Sequence, residues 1–140
     1  MKMDLLPKSV LKISALTFAI AATASCTAMA TGTDHQTANA ASSTAITLGN
    51  AATTSGTNDT VAIGSQANAG LNSATAVGGQ ANAAGLGSTS IGWQSKATAE
   101  RAQAFGHLAN ASGVRSTAVG EAAMAGGNND TVAVGNKANA

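Results

Sequence analysis

From residue 42 onward the apolar positions fall on a long, fixed beat. A large apolar residue precedes a glycine at Leu48, Ile63, Val77, Ile91, Phe105, Val119 and Val134. The glycines that follow are Gly49, Gly64, Gly78, Gly92, Gly106, Gly120 and Gly135, separated by 15, 14, 14, 14, 14 and 15 residues. Three residues before each glycine stand Ile46, Val61, Thr75, Thr89, Gln103, Thr117 and Val132. Three after it stand Ala52, Ala67, Ala81, Ser95, Ala109, Ala123 and Ala138, and five after it Thr54, Ala69, Ala83, Ala97, Ala111, Ala125 and Ala140. A spacing of two places residues on one face of a strand. Each unit therefore predicts two short strands, a T-x-V type and an A-x-A type, joined by glycine-rich turns that oppose helix. Self-similarity at this period marks a stacked repeat. The expected fold is all-β, a parallel β-solenoid of about seven 14-residue coils over residues 42–140.

The strands also predict an inside and an outside. The large residues Leu48, Ile63, Val77, Ile91, Phe105, Val119 and Val134 are the expected coil core. The opposite face of the same strands carries Thr47, Ala62, Ala76, Ser90, Ala104, Ala118 and Ala133, all small. A strand apolar on both faces is normally buried on both. The column Ala62, Ala76, Ser90, Ala104, Ala118 and Ala133 is thus expected to be where copies of the chain pack together. The A-x-A strands instead present Thr53, Asn68, Asn82, Lys96, Asn110, Met124 and Asn139 outward, a mostly polar column in which stacked asparagines can bond along the stack.

Composition narrows the function. Charged residues make up 9% and aromatics 2%, and much of the 44% hydrophobic content is alanine, which leaves few large side chains for an enzyme-like core. Residues 1–30 are a separate text: Lys2, Lys8 and Lys12, the apolar run ISALTFAIAA, then Ala28-Met29-Ala30. That is the form of a secretory signal peptide cut after Ala30, with a run too short to span a bilayer. A second reading takes Thr23-Ala24-Ser25-Cys26 as a lipoprotein acylation site, but such signals carry an aliphatic residue where Thr23 stands. Cleavage after Ala30 would remove Cys26, the only cysteine, leaving no disulfide or thiolate metal site in an exported chain. Residues 31–41 read as a linker. The formal charge of +1 offers no basic stripe for nucleic acid.

Candidate chemistry is sparse. His35 and His107 are the two histidines; no carboxylate pair, phosphate loop or tyrosine accompanies them, so no catalytic residue, metal site or cofactor is expected. The glycines punctuate turns; a G-x-G-x-x-G cradle would need a following helix. Trp93 and His107 share the position after the glycine in neighbouring coils, with Lys96 and Arg101 nearby in sequence, and these four form the candidate ligand patch. The plainer account is that Trp93 covers a gap at a turn while His107 is solvated. Both 15-residue intervals contain Asn-Asp-Thr, at Asn58-Asp59-Thr60 and Asn129-Asp130-Thr131, which reads as an enlarged turn with Asp capping its own backbone. An ice-binding solenoid would need regular threonine columns, and Ile46, Val61, Gln103 and Val132 interrupt the one present.

The units Thr60-Val61-Ala62-Ile63-Gly64 and Ser116-Thr117-Ala118-Val119-Gly120, with tails such as Ser65-Gln66-Ala67-Asn68-Ala69-Gly70, resemble the head repeats of the YadA-like trimeric autotransporter adhesins. The resemblance covers residues 42–140. It implies a left-handed parallel β-roll in which three chains form a homotrimer, neither the hand nor the number three being readable from spacing. It also implies a Gram-negative cell surface and adhesion to extracellular matrix proteins, cells or abiotic surfaces, with a ligand-free structural spacer as the alternative role. Members of the family continue into a coiled-coil stalk and a β-barrel anchor. This sequence ends at Ala140, on the last alanine column, as a fragment, a truncated gene or a short relative would.

Overall fold

Two corners per coil bend the chain back onto itself. In the computed structural model, which describes residues 44–140, the backbone is left-handed at Asp59, Ser73, Gly87, Arg101, Arg115 and Asp130, with φ between 51° and 62°. It is left-handed again at Ala51, Gln66, Gln80, Gln94, Leu108, Ala122 and Lys137, with φ between 52° and 58°. Side chains in this region cost about 1 kcal/mol or more each. Stacking offsets the cost, because from Asp59 onward each such amide donates to the coil before it: Gln80 N–H to the Ser65 carbonyl at 2.8 Å, Arg115 N–H to that of Glu100 at 2.9 Å.

Between the corners lie thirteen strands among the described residues. Those of three residues are β1 (Ile46–Leu48), β3 (Val61–Ile63), β5 (Thr75–Val77), β7 (Thr89–Ile91), β9 (Gln103–Phe105), β11 (Thr117–Val119) and β13 (Val132–Val134). Those of two residues are β2 (Thr53–Thr54), β4 (Asn68–Ala69), β6 (Asn82–Ala83), β8 (Lys96–Ala97), β10 (Asn110–Ala111) and β12 (Met124–Ala125). The first set forms a seven-stranded sheet and the second a six-stranded sheet, each strand pairing in parallel with its counterparts in adjacent coils. No helix occurs among the described residues. The 15-residue intervals keep the register, Ile46 opposite Val61 and Thr117 opposite Val132, so the extra residue is absorbed in a turn. Among the described residues the solenoid has six complete coils. In the seventh, β13 is followed only by a single bridge from Asn139 to Met124.

The interior corrects the expected core. Ala62, Ala76, Ser90, Ala104 and Ala118 are 0% exposed and Ala133 4%, so the column expected to face other copies lines the chain's own interior. Leu48 (43%), Ile91 (38%) and Val134 (67%) are exposed instead, and Ile63, Val77, Phe105 and Val119 are half-buried on the outer face of the seven-stranded sheet. The reason is the short perimeter of the coil. Across the interior, Thr47 Oγ1 lies 3.1 Å from Thr54 Oγ1, and Ser90 Oγ lies 2.7 Å from Ser95 Oγ. These opposed hydroxyls sit at hydrogen-bond distance, closer than the ~3.5–4.0 Å that two methyl groups need, so valine or isoleucine cannot take their places. The A-x-A strands keep the expected orientation, with Ala67, Ala81, Ala109 and Ala123 buried beneath an outward polar column. On that column Thr53 Oγ1 donates to Asn68 Oδ1 and Asn68 Nδ2 to Asn82 Oδ1, both at 3.0 Å.

Hydroxyls complete this interior unevenly. Ser88 Oγ donates to the Gly85 carbonyl at 2.8 Å, whereas the Ser116 Oγ in the same column is buried without a hydrogen-bond partner. Ala74 and Ala102 occupy that column in other coils. Ser116→Ala is expected to stabilise the fold by about 1 kcal/mol, because an unsatisfied buried hydroxyl carries its full desolvation cost. A higher midpoint in thermal denaturation is the check. The leader expected at residues 1–30, the linker at 31–41, and Cys26 and His35 within them lie outside the described residues.

Candidate interaction surfaces

Two exterior features distinguish this solenoid. The first is the outer face of the seven-stranded sheet, where Ile46, Val61 and Val132 stand beside Leu48, Ile63, Val77, Ile91, Phe105, Val119 and Val134. At one rung every ~4.8 Å, seven strands carry this apolar stripe for roughly 30 Å. A parallel sheet normally has such a face covered, and a continuous exposed apolar patch marks an interaction site.

The second is a ladder along the corner after each glycine. Trp93, 51% exposed, stacks on His107 with ring centroids 5.0 Å apart and planes inclined by 27°. His107 Nδ1 lies 3.8 Å from Glu121 Oε1, and Asn136 Nδ2 donates to Glu121 Oε2 at 3.3 Å. At the other end of the ladder, Gly79 leaves room for the indole: a Cβ there would come within 3.2 Å of Trp93 Cδ1. In the adjoining column Gln94 Nε2 donates to Gln80 Oε1 at 2.6 Å.

The four candidate ligand residues therefore separate. Trp93 and His107 meet. Lys96 lies on β8, on the outer face of the other sheet. Arg101 sits at the opposite corner, two residues before β9, with its Nη2 3.5 Å from Glu100 Oε1. Sequence reading overlooked Glu121 and Asn136, although both occupy the column that placed Trp93 beside His107. Charge and aromaticity are conspicuous singly, while a ladder is visible only when one column is followed through every coil.

The corner of Arg101 carries the firmest ion pair. Arg115 Nε and Nη2 donate to Asp130 Oδ1 and Oδ2 at 2.6 and 2.8 Å. The Asp130 carboxylate thus binds the preceding coil, where a cap on its own turn was expected. The hydrogen bond from Arg115, reinforced by its charge and opposed by partial desolvation, holds the Asp130 carboxyl below its ordinary value. A depressed folded-state value contributes stability above the ordinary carboxylate range and loses it as pH falls through that value. Both groups are exposed, so the contribution is small. Asp130→Asn should lower the melting temperature slightly at neutral pH, and the difference should shrink toward pH 2 as the carboxylate becomes protonated. Melting curves at the two pH values test this.

Among the described residues, no three His, Cys, Asp or Glu side chains converge as a metal-binding group, and no helix is long and apolar enough to cross a membrane. The family model described as a YadA head domain repeat matches residues 58–81, 72–95, 83–109 and 97–123. No curated protein and no solved structure gives a match to the chain.

Proposed function

Because residues 58–123 belong to the YadA head domain repeat family, we propose that the chain is the head of an adhesin, exported and displayed on a Gram-negative cell surface as a homotrimer. The observation that carries the reading is the unpartnered apolar stripe on the seven-stranded sheet. Three copies facing a common axis would cover it. The trimer face is then the column of Leu48, Ile91 and Val134 with its neighbours, and the alanine column is the filling of each coil. Repetition builds surface, so the work of the domain is binding. Extracellular matrix proteins, cells and abiotic surfaces are the ligands that fit a head of this family, and the Trp93–His107 ladder supplies an aromatic and a titratable group at an exposed corner.

Light scattering on a size-exclusion peak of the purified protein should give three times the chain mass, with a β-type circular dichroism spectrum. The trimer should then bind immobilised matrix proteins or polystyrene, and Trp93→Ala should weaken that binding. A folded monomer would sink the trimeric reading. A trimer that binds none of these surfaces would support the spacer role. The remote ice-binding reading has only Thr75, Thr89 and Thr117 on this outer face, in a column that Ile46, Val61, Gln103 and Val132 interrupt. A thermal hysteresis assay separates that reading from adhesion.

A further inference from the structure

The outer face of the seven-stranded sheet has two edges, because its three-residue strands run across the stack. One edge carries the residues two positions after each strand, Trp93 for β7, His107 for β9 and Glu121 for β11. The other carries the residues two positions before it, Gly87, Arg101 and Arg115. Each pair brackets a single strand, so Gly87 and Trp93 stand on one rung, and Arg115 and Glu121 on another. A cyclic ring of identical chains is built head to tail. If its axis lies along the stack, the trailing edge of every sheet meets the leading edge of the next at the same height.

The two edges complement each other rung by rung. On the β7 rung the largest side chain of the chain, Trp93, would face Gly87, where an added Cβ meets nothing closer than Arg101 Cγ at 3.8 Å. On the β11 rung the Glu121 carboxylate would face the Arg115 guanidinium. Arg115 uses Nε and Nη2 on Asp130, which leaves Nη1 and its two protons to donate. On the β9 rung His107 would face the Glu100–Arg101 pair, and on the β13 rung Asn136 would face Asp130.

We propose that Glu121 of each chain pairs with Arg115 of the partner subunit while Trp93 covers Gly87 of the partner subunit, and that this edge contact sets the register of the assembly. The inference rests on the cyclic packing proposed above. Register needs such a device. The apolar stripe repeats every ~4.8 Å, so a slip of one rung would replace valine by isoleucine or phenylalanine at little cost. Hydrophobic burial is non-directional. Residues that differ from coil to coil must therefore hold the chains level, as a polar residue does at one position of a coiled coil.

Paired cysteines at Arg115→Cys and Glu121→Cys, in a Cys26→Ser background, test the contact. Within one chain these positions lie six residues apart across an extended strand, roughly 15–20 Å. That exceeds the roughly 7 Å Cα separation a disulfide tolerates, so any bridge joins two chains. Mild oxidation should convert most of the protein to covalent dimers and closed trimers on a non-reducing gel. The offset pair Arg115→Cys with Trp93→Cys, two rungs out of level, should cross-link at least tenfold more slowly. An assembled protein in which the level pair fails to cross-link, or does so no faster than the offset pair, overturns the edge contact alone. A monomeric unmodified protein in light scattering overturns the edge contact together with the cyclic packing.

Discussion

Gly106→Ala should abolish the cooperative β-sheet melt of the protein, or lower its midpoint by tens of degrees. Gly106 has φ of 132°, and a Cβ on it would lie 2.5 Å from the Gly120 carbonyl oxygen and 2.8 Å from that carbonyl carbon. Backbone strain of this kind costs about 1–3 kcal/mol before any clash is counted. The clash cannot relax locally. Gly92 makes the same close approach to the Gly106 carbonyl, at 2.5 Å, so moving one corner presses on the next. Native domains are stable by only about 5–15 kcal/mol, and strain plus clash together consume a large share of that. Gly126→Ala is the control: its Cβ would meet only Ser112 Oγ at 3.6 Å, so its melt should match that of the parent. Circular dichroism melts of the two variants decide the matter. Equal midpoints would show that the glycine column does not hold the coils together.

Ala104→Leu should be nearly as damaging. Ala104 is fully buried in the space where the seven-stranded sheet faces Ala109 and its neighbours. Overpacking a filled core costs about 1–3 kcal/mol and sometimes more, and leucine adds three carbons where opposed side chains already touch. Ala104→Ser adds a single oxygen. Alone it should cost about 1 kcal/mol for an unpaired hydroxyl. Combined with Ala109→Ser it should recover most of that loss, because the pair recreates the bond that Ser90 and Ser95 make at 2.7 Å. Denaturant unfolding of the three variants measures the sequence of effects. A tolerated leucine would return Ala104 to the outer surface and restore the large residues to the core.

The two features tested by these substitutions were not equally legible in the sequence. The glycine corner stood out because its cause is local: a φ between 127° and 135° admits little else, and the requirement recurs in every coil. Strand spacing was legible for the same reason, and the asparagine column on the A-x-A strands lies where alternation placed it. The inside of the T-x-V strands was read the wrong way round. Alternation states that Val119 and Ala118 face opposite ways without stating which way is in, and larger apolar side chains belong inside in most folds. Here the rule yields to geometry. With one three-residue and one two-residue strand per turn, the sheets stand so close that only alanine, serine and threonine fit between them.

The candidate site divides along the same line. Trp93 and His107 met because a shared column implies stacking at ~4.8 Å, which neighbouring aromatic rings can bridge. Arg101 was grouped with them by nearness in sequence, yet six residues of extended chain carry it to the opposite corner. Coil length, the two strands and the glycine turns were thus determined by the sequence alone, since each depends on the φ preferences and side-chain alternation of a few adjacent residues. Which face is buried, which residues share a corner and which apolar stripe is left for a partner were decided only by the tertiary structure. Those depend on the distance between two sheets, and that distance is set by how tightly the whole coil closes.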